Sequence, residues 1–136
     1  MFEVFEHTAD LGIHVEAESL SELLIEAARA LTSVLAANPE AIEPVTEVAV
    51  SLDAAKPEDL LIDWLSEWLY RFSAEHMLFT RFEVVEHDGR IAARAWGEAV
   101  DPARHQLDTE VKAVTYHRLR VEQTEAGWTA EVILDL

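Results

Sequence analysis

The last residues of the chain combine an aspartate with the terminal carboxylate. Asp135 is followed by Leu136 and preceded by the apolar run 132–134, which is typical of a buried strand. Chain termini are often frayed, but we expect a terminus that continues a buried strand to be held in place. Several carboxylate oxygens within one residue of each other suit a hard divalent cation such as Ca²⁺, Mg²⁺ or Mn²⁺.

A second group of polar residues lies near the start of the chain, in the stretch EHTADLGIH. His7, Thr8 and Asp10 follow a short apolar-alternating strand and precede Gly12. Two interpretations stay open, because strand-end loops often present functional side chains, and because Asp and Gly are also ordinary turn residues. If the first and last strands are neighbours, Asp10 would add a third set of oxygen ligands to those of Asp135 and Leu136.

A third segment, EVKAVTYH (110–117), alternates between two faces of a predicted strand. Lys112 falls on the face opposite His117 and interrupts an otherwise apolar region. The lysine could protect an edge strand from aggregation, or it could extend its ammonium group into an acidic pocket while its stem is buried. His117 is more typical of a packed or hydrogen-bonded histidine than of a metal ligand.

Composition limits the class of function. The 136 residues predict one domain over 1–136, with 10 Lys and Arg against 27 Asp and Glu and a formal net charge of −17. This charge disfavours unaided binding to nucleic acid and suits cation binding, docking on a basic protein, or simply a solvated acidic surface. The absence of cysteine excludes disulfides and thiolate metal sites. With no signal peptide or membrane-spanning run, we expect a cytoplasmic protein.

Two helices are predicted from apolar residues that recur at three- and four-residue steps over 20–35 and 60–72. Ser19 and Glu22 form a capping-box pattern at the start of the first helix, and Pro57 suits the first turn of the second. The tryptophans of the second helix fit a hydrophobic core better than a cofactor groove at this spacing.

The remainder of the chain predicts about six or seven strands. Alternating apolar residues occur in short runs, and Asp88-Gly89 is the strongest hairpin signal. Because strands and helices do not alternate strictly, the pattern predicts an α+β fold. We expect two layers, with the two main helices packed on one face of a mostly antiparallel sheet.

Four stretches of the sequence together resemble the archease family. They are HTADLGI, EDLLIDWLSEWLY, GEAVDPARHQLDTEVKAVTYH and the terminal W-x-A-x-V-I-L-D-L, and they cover nearly the whole chain in the family's order. The resemblance implies a small acidic protein, not itself an enzyme, that accompanies the RtcB-type RNA ligase in tRNA splicing and RNA repair. Such a protein promotes guanylylation of the ligase by GTP, which requires Mn²⁺, and allows multiple turnover.

The resemblance also implies roles for particular residues. Asp10 and Asp135 match the family's metal-binding aspartates, and Leu136 matches the adjacent C-terminal ligand. Lys112 matches a functionally important lysine, with His7 and His117 as secondary candidates for the activation role. The implied cofactor is a divalent cation, Ca²⁺ in structures and Mg²⁺ or Mn²⁺ as alternatives in the cell. The implied partner is the ligase, with tRNA or RNA contacted indirectly through it.

Two other functions remain open at this point. One is a chaperone-like modulator of RNA-modifying enzymes, also associated with the family, whose action would not depend on Asp10 or Asp135. The other is an independent metal-dependent hydrolase, although the sequence offers no clear nucleophile constellation. A gene for an RtcB-type ligase beside the gene for this chain would favour the activator over both.

Overall fold

A computed structural model describes residues 1–7 and 10–136, and for His7 it describes the backbone alone. Within these residues the chain forms two α-helices, one 3₁₀ turn and seven β-strands. In chain order the elements are β1 (Phe2–His7), β2 (Asp10–Ala17), α1 (Leu20–Leu35), the 3₁₀ turn (Pro39–Ala41), β3 (Thr46–Asp53), α2 (Pro57–Glu75), β4 (Met77–His87), β5 (Arg90–Ala99), β6 (Ala113–Thr124) and β7 (Gly127–Asp135).

The seven strands form two separate antiparallel sheets. One has the order β1-β2-β7-β6, and the other has the order β3-β5-β4. The predicted α+β class and strand number are confirmed, but the single sheet of the prediction is divided in two. Helix α1 contacts β1, β2 and β7 of the first sheet and β4 of the second, and α2 contacts β6, β4 and β3. The helices therefore connect the sheets, and each sheet keeps one open face.

Both helices begin where local signals place them. The Ser19 hydroxyl accepts a hydrogen bond from the Glu22 backbone N–H at 3.1 Å, which satisfies one of the free donors at the start of α1. Pro57 occupies the first turn of α2, where its missing N–H costs no hydrogen bond. Helix α2 ends at Glu75 and is capped by His76, whose left-handed backbone (φ 56°) directs its N–H to the Phe72 carbonyl at 3.1 Å. Neither described helix combines the length and the apolar composition needed to cross a bilayer.

The tryptophans of α2 lie in the core, as predicted. Trp64 is fully buried and donates its Nε1 hydrogen to the Leu24 carbonyl at 2.7 Å, which joins the two helices. The Trp68 ring meets the Trp64 ring edge-to-face at 5.0 Å and lies 5.1 Å from Phe79 and 5.3 Å from Phe82. Such aromatic clusters dominate core energetics, and truncating one member to alanine typically costs about 3–5 kcal/mol.

The hairpin between β4 and β5 turns at Asp88-Gly89, as predicted. Both residues have positive φ, 50° for Asp88 and 80° for Gly89, which matches the twist of the flanking strands. A Cβ at Gly89 would lie 2.3 Å from the Ala54 carbonyl oxygen, so the turn also needs glycine for close packing.

A buried charged cluster, missed by the sequence analysis, fixes the segment that follows β5. The Glu98 carboxylate accepts hydrogen bonds from the Arg104 guanidinium, from the Glu43 backbone N–H at 2.7 Å and from His105 Nε2 at 3.0 Å. The Asp101 N–H donates to His105 Nδ1, so the imidazole proton sits on Nε2. Chiefly through the hydrogen bond from Arg104 and that from the Glu43 N–H, the pKa of Glu98 is lowered to about 2.

This cluster positions a segment without regular structure along the end of α1. The N–H groups of Asp108 and Thr109 donate to the carbonyls of Leu35 and Val34 at 2.9 and 3.1 Å. They satisfy acceptors that a helix end otherwise leaves unpaired. The segment then leads directly to Lys112, the residue before β6.

We predict that Glu98→Gln lowers the free energy of unfolding at pH 7 by about 1–3 kcal/mol, because it weakens a buried charge-assisted network. The lowered pKa of Glu98 means that its contribution is complete above its ordinary pKa of 4.5 and is lost as pH falls towards 2. The variant should therefore lose less stability than the wild type between those pH values. Urea unfolding at pH 7, 5 and 3 measures this.

The control is Glu125→Gln, in the exposed turn between β6 and β7. Its free energy of unfolding should depend on pH as that of the wild type does. If the free energies of unfolding of the wild type and Glu98→Gln fall in parallel as pH is lowered, the role assigned to this carboxylate is wrong.

Candidate metal-binding site at the end of the C-terminal strand

The register of β7 places two carboxylates side by side. Asp135 pairs directly with Asp10 of β2 on one side and with Ala113 of β6 on the other. Residues opposite each other on antiparallel strands project from the same face, with Cβ atoms about 4.5–5.5 Å apart. Asp135 is exposed and Asp10 is partly exposed. The condition for Asp10 to act together with Asp135, that their strands are neighbours, is therefore met.

The adjacent row on the inner face holds this register in place. Leu134 is fully buried, and it pairs with Leu11 on β2 and Val114 on β6, both of which pack against the core. Because strand side chains alternate between faces, a shift of one residue would turn Leu134 to solvent and Asp135 to the core. Burial of Leu134 thus determines where the Asp135 carboxylate points.

An apolar border lies beside the carboxylates on the outer face. Gly12 follows Asp10 on that face, and a Cβ there would lie 2.1 Å from the Phe5 ring, so glycine allows the ring to lie directly on β2. Ile133, opposite Gly12, is only 3% exposed although it belongs to the outer face. Water therefore reaches the carboxylates from fewer directions than on a polar sheet surface.

Lys112 lies directly beside Asp135. Its backbone N–H donates to the Asp135 carbonyl at 2.8 Å, and its side chain is exposed. Strand β6 begins at Ala113, so Lys112 precedes the strand, and the predicted strand position of this lysine was wrong. The hydrogen bond nevertheless fixes its backbone next to the acidic pair, within the length of a lysine side chain.

The stretch read from sequence as a loop or turn is largely strand. His7 ends β1 and pairs with Asp10, which begins β2, and Gly12 lies within β2. The turn interpretation of Asp10 and Gly12 was therefore wrong. Thr8, Ala9 and the His7 side chain lie outside the described residues, so a role for His7 stays a prediction.

His117 lies where β6 departs from regular pairing. The register between β6 and β7 shifts between Thr115 and Arg120, and Arg118 has a positive φ of 52°. The alternation predicted through residue 117 therefore ends at a β-bulge, a feature that re-aims side chains. The His117 backbone N–H faces the Thr115 hydroxyl at 3.3 Å, and a role for its exposed side chain stays a prediction.

A second contact at this bulge was not visible in the sequence. The Tyr116 hydroxyl donates to Asp59 Oδ1 at 2.9 Å, which joins β6 to the first turn of α2. This hydrogen bond raises the pKa of Tyr116. The two residues are separated by 57 positions, so no local pattern could reveal the pair.

The available donors fit a hard cation held by few protein ligands. Among the side chains that the structure describes, in residues 1–6 and 10–136, no group of three or more His, Cys, Asp or Glu is placed to hold a metal ion. We call Asp10, Asp135 and Leu136 the carboxylate row. It offers the side-chain carboxylates of Asp10 and Asp135, and Leu136 carries the last carboxylate of the sequence. Oxygen donors alone suit Ca²⁺, Mg²⁺ or Mn²⁺ rather than structural zinc. Because Ca²⁺ takes 6–8 oxygen ligands, water or a partner would complete the set.

Known proteins match this chain over nearly its whole length. The sequence profile of the Archease protein family matches residues 2–136. A protein archease from Methanopyrus kandleri is 42% identical, and the match covers 99% of each chain. One from Methanosarcina mazei is 39% identical over 99% of this chain and 95% of its own.

Two solved structures have a similar fold. The solution structure of Protein 1598 from Methanobacterium thermoautotrophicum has a TM-score of 0.81 and 31% identity, and covers 99% of this chain and 98% of its own. The crystal structure of a Thermotoga maritima archease, described as a possible chaperone, has a TM-score of 0.67 and covers 100% of this chain and 98% of its own. At 23% identity the second structure shows likeness of fold alone.

We predict that Asp10→Asn and Asp135→Asn each weaken Ca²⁺ or Mn²⁺ binding at least tenfold, about 1.4 kcal/mol, because each removes a charged ligand. Without metal, both variants should unfold at or slightly above the wild-type temperature, since one of two facing negative charges is gone. Isothermal titration calorimetry and thermal unfolding with and without metal measure the two effects.

Asp88→Asn, in the exposed β4–β5 turn, is the matched control, because asparagine also tolerates positive φ. It should bind metal as the wild type does. Equal affinities for the Asp10, Asp135 and Asp88 variants would place the cation elsewhere.

Proposed function

The chain belongs to the archease family, and on that basis we propose that it is an accessory protein that activates an RtcB-type RNA ligase in tRNA splicing and RNA repair. It promotes guanylylation of the ligase by GTP and allows multiple turnover, and it carries out no ligation itself. The observation that supports this function best is the row at the end of β7, where Asp10 faces Asp135 and Lys112 is hydrogen-bonded to the Asp135 backbone.

The charge of the molecule supports a protein partner rather than RNA. With a formal net charge of −17, the chain repels a phosphate backbone but is attracted to a basic surface. A ligase that binds RNA and GTP presents such a surface. Complementary charge of this kind mainly accelerates association and orients the partners.

Each residue of the row has a distinct part in this proposal. Asp10, Asp135 and the Leu136 carboxylate hold a divalent cation, and the ammonium group of Lys112 acts as a compact point charge for a phosphate oxygen or a ligase carboxylate. When bound, the cation supplies charge stabilisation for phosphoryl or nucleotidyl transfer. The buried Leu134 row and the Glu98 cluster hold the backbone that carries these groups, so docking needs to order only the side chains.

A second candidate function is a chaperone-like modulator of RNA-modifying enzymes. It is favoured by the description of the Thermotoga maritima relative as a possible chaperone. Such a function rests on binding an unfolded or poorly soluble partner, and it does not need the carboxylate row. The two candidates are therefore separated by the effect of substitutions at the row.

We predict that Lys112→Ala abolishes ligase activation while leaving the fold intact. The side chain is exposed and precedes β6, so its removal should change the free energy of unfolding by no more than about 0.5 kcal/mol. The measurement is transfer of labelled GMP to a cognate ligase at limiting amounts of the accessory protein. We expect at least a tenfold loss.

The chain contains one other lysine, Lys56, which is exposed at the start of α2 and makes no side-chain cap hydrogen bond. Lys56→Ala removes the same charge elsewhere and should activate normally. If both lysine variants activate like the wild type, or if Lys112→Ala unfolds, the assigned role is wrong.

We also predict that residues appended after Leu136 weaken cation binding and sharply reduce activation. The extension converts a carboxylate to an amide and adds bulk at the row, but it leaves the helices and the core unchanged. Thermal unfolding of the metal-free protein should therefore stay near normal.

A cleavable extension supplies the control, because its removal back to Leu136 should restore both cation binding and ligase activation. Full activation and unchanged metal affinity in the extended protein would show that the last carboxylate is no ligand. If activation persists while all row variants fail to bind metal, the chaperone-like function is favoured instead.

A further inference from the structure

A second surface, distinct from the carboxylate row, is the outer face of the β3-β5-β4 sheet. The helices pack against the opposite face of this sheet, where Val50, Phe82 and Ala95 are buried. Strand pairing arranges the outer side chains in four rows across β3, β5 and β4: Glu47–Trp96–Arg81, Ala49–Arg94–Glu83, Ser51–Ala92–Val85 and Asp53–Arg90–His87. We call these twelve residues the small-sheet face.

The small-sheet face differs from the rest of the molecule in charge. It carries three of the ten cationic residues of the chain and three acidic ones, so its formal charge is zero with His neutral. The whole formal net charge of −17 is therefore carried by residues outside this face. Two copies of the chain repel each other over most of their surfaces, and they meet least repulsion when these two faces approach.

A tryptophan in the first row lies between two arginines, one from its own row and one from the second row. The guanidinium groups of Arg81 and Arg94 lie 4.5 and 5.5 Å from the centroid of the Trp96 ring. Arg94 also pairs with Glu83 at 3.2 Å, so its side chain is already ordered. Tryptophan and arginine are the residue types most enriched in interface hot spots, and ordered side chains lose less entropy on association.

The third row combines a hollow with a projecting side chain. Ser51 and Ala92 of this row and Ala49 of the second row are small, and with Val85 they border a hollow of about 310 Å³. Val85, in the third row, projects from the sheet with 71% of its area exposed. A face that carries both a projection and a hollow can be complementary to itself.

We propose that the small-sheet face is a two-fold symmetric interface with a second copy of this chain, with the axis parallel to β5. Such an axis lays β3 on the partner's β4 and β5 on the partner's β5. Arg94 and Arg90 then face their own copies, and this like-charge contact limits the affinity. Glu47 then meets the partner's Arg81, Asp53 meets the partner's His87, and Val85 enters the hollow beside the partner's Ser51. A closed, isologous contact of this kind uses one patch on both copies.

The size of the face predicts a weak dimer. Three strands about 4.8 Å apart and eight residues long at about 3.3 Å each give a footprint of roughly 14 by 26 Å. Stable interfaces bury about 800 Å² on each partner, and this footprint, roughly 360 Å², is less than half that size. The dimer should therefore form at concentrations from tens to hundreds of micromolar, on the order expected for a weak complex.

The test is sedimentation velocity of the full chain at physiological salt, from about 1 µM to about 1 mM, a range that brackets weak association. We expect a reversible monomer–dimer equilibrium. Val85→Glu should raise the dissociation constant at least tenfold, because it places a charge in an apolar contact. Tyr70→Glu, at a 60% exposed position on α2, makes the same charge change away from the face and should have no effect.

A charge exchange tests the orientation of the axis. Glu47→Arg and Arg81→Glu should each weaken the dimer several-fold, and the double variant should recover to within about threefold of the wild type. Within one copy these residues lie two strands apart, so recovery reports a contact between copies. A monomer at every concentration, a dimer unaffected by Val85→Glu, or no recovery in the double variant would overturn the proposal.

Discussion

The register of β7 between β2 and β6 is the constraint on which the candidate site depends. Burial of Leu134 contributes about 1.5–3 kcal/mol relative to exposure, whereas two unit charges 4 Å apart in water repel by about 1 kcal/mol. Apolar burial therefore outweighs the repulsion between Asp10 and Asp135. The two carboxylates remain adjacent because the side chains next to them in sequence are fixed in the core.

The position of Lys112 depends on a different part of the molecule. The segment that precedes β6 has no regular structure, yet the buried Glu98 network holds its start, and backbone hydrogen bonds to the end of α1 hold its middle. Lys112 is then hydrogen-bonded to the last strand. The two helices link the two sheets. The acidic end of β7 and the neutral small-sheet face are therefore supported by one connected core, and they differ in charge.

Features encoded by adjacent residues could be predicted from the sequence, whereas features that join distant residues could not. Ser19, Pro57 and Asp88-Gly89 act within one turn of chain, and the helix starts and the hairpin follow from them. The division into two sheets, the bulge in β6 and the Glu98–His105 pair depend on contacts made after folding. For the site, the resemblance supplied the residues, and only strand pairing could place Asp10 opposite Asp135.

The most direct test of the account is anomalous diffraction from crystals of the full chain grown with saturating Mn²⁺. The account predicts one strong anomalous peak at the end of β7, within about 2.6 Å of oxygens from Asp10, Asp135 and the Leu136 carboxylate. Water or partner oxygens should complete the coordination. A peak bound by other residues, or well-ordered carboxylates at this row with no peak between them, would contradict the claim that the register of β7 builds a cation site.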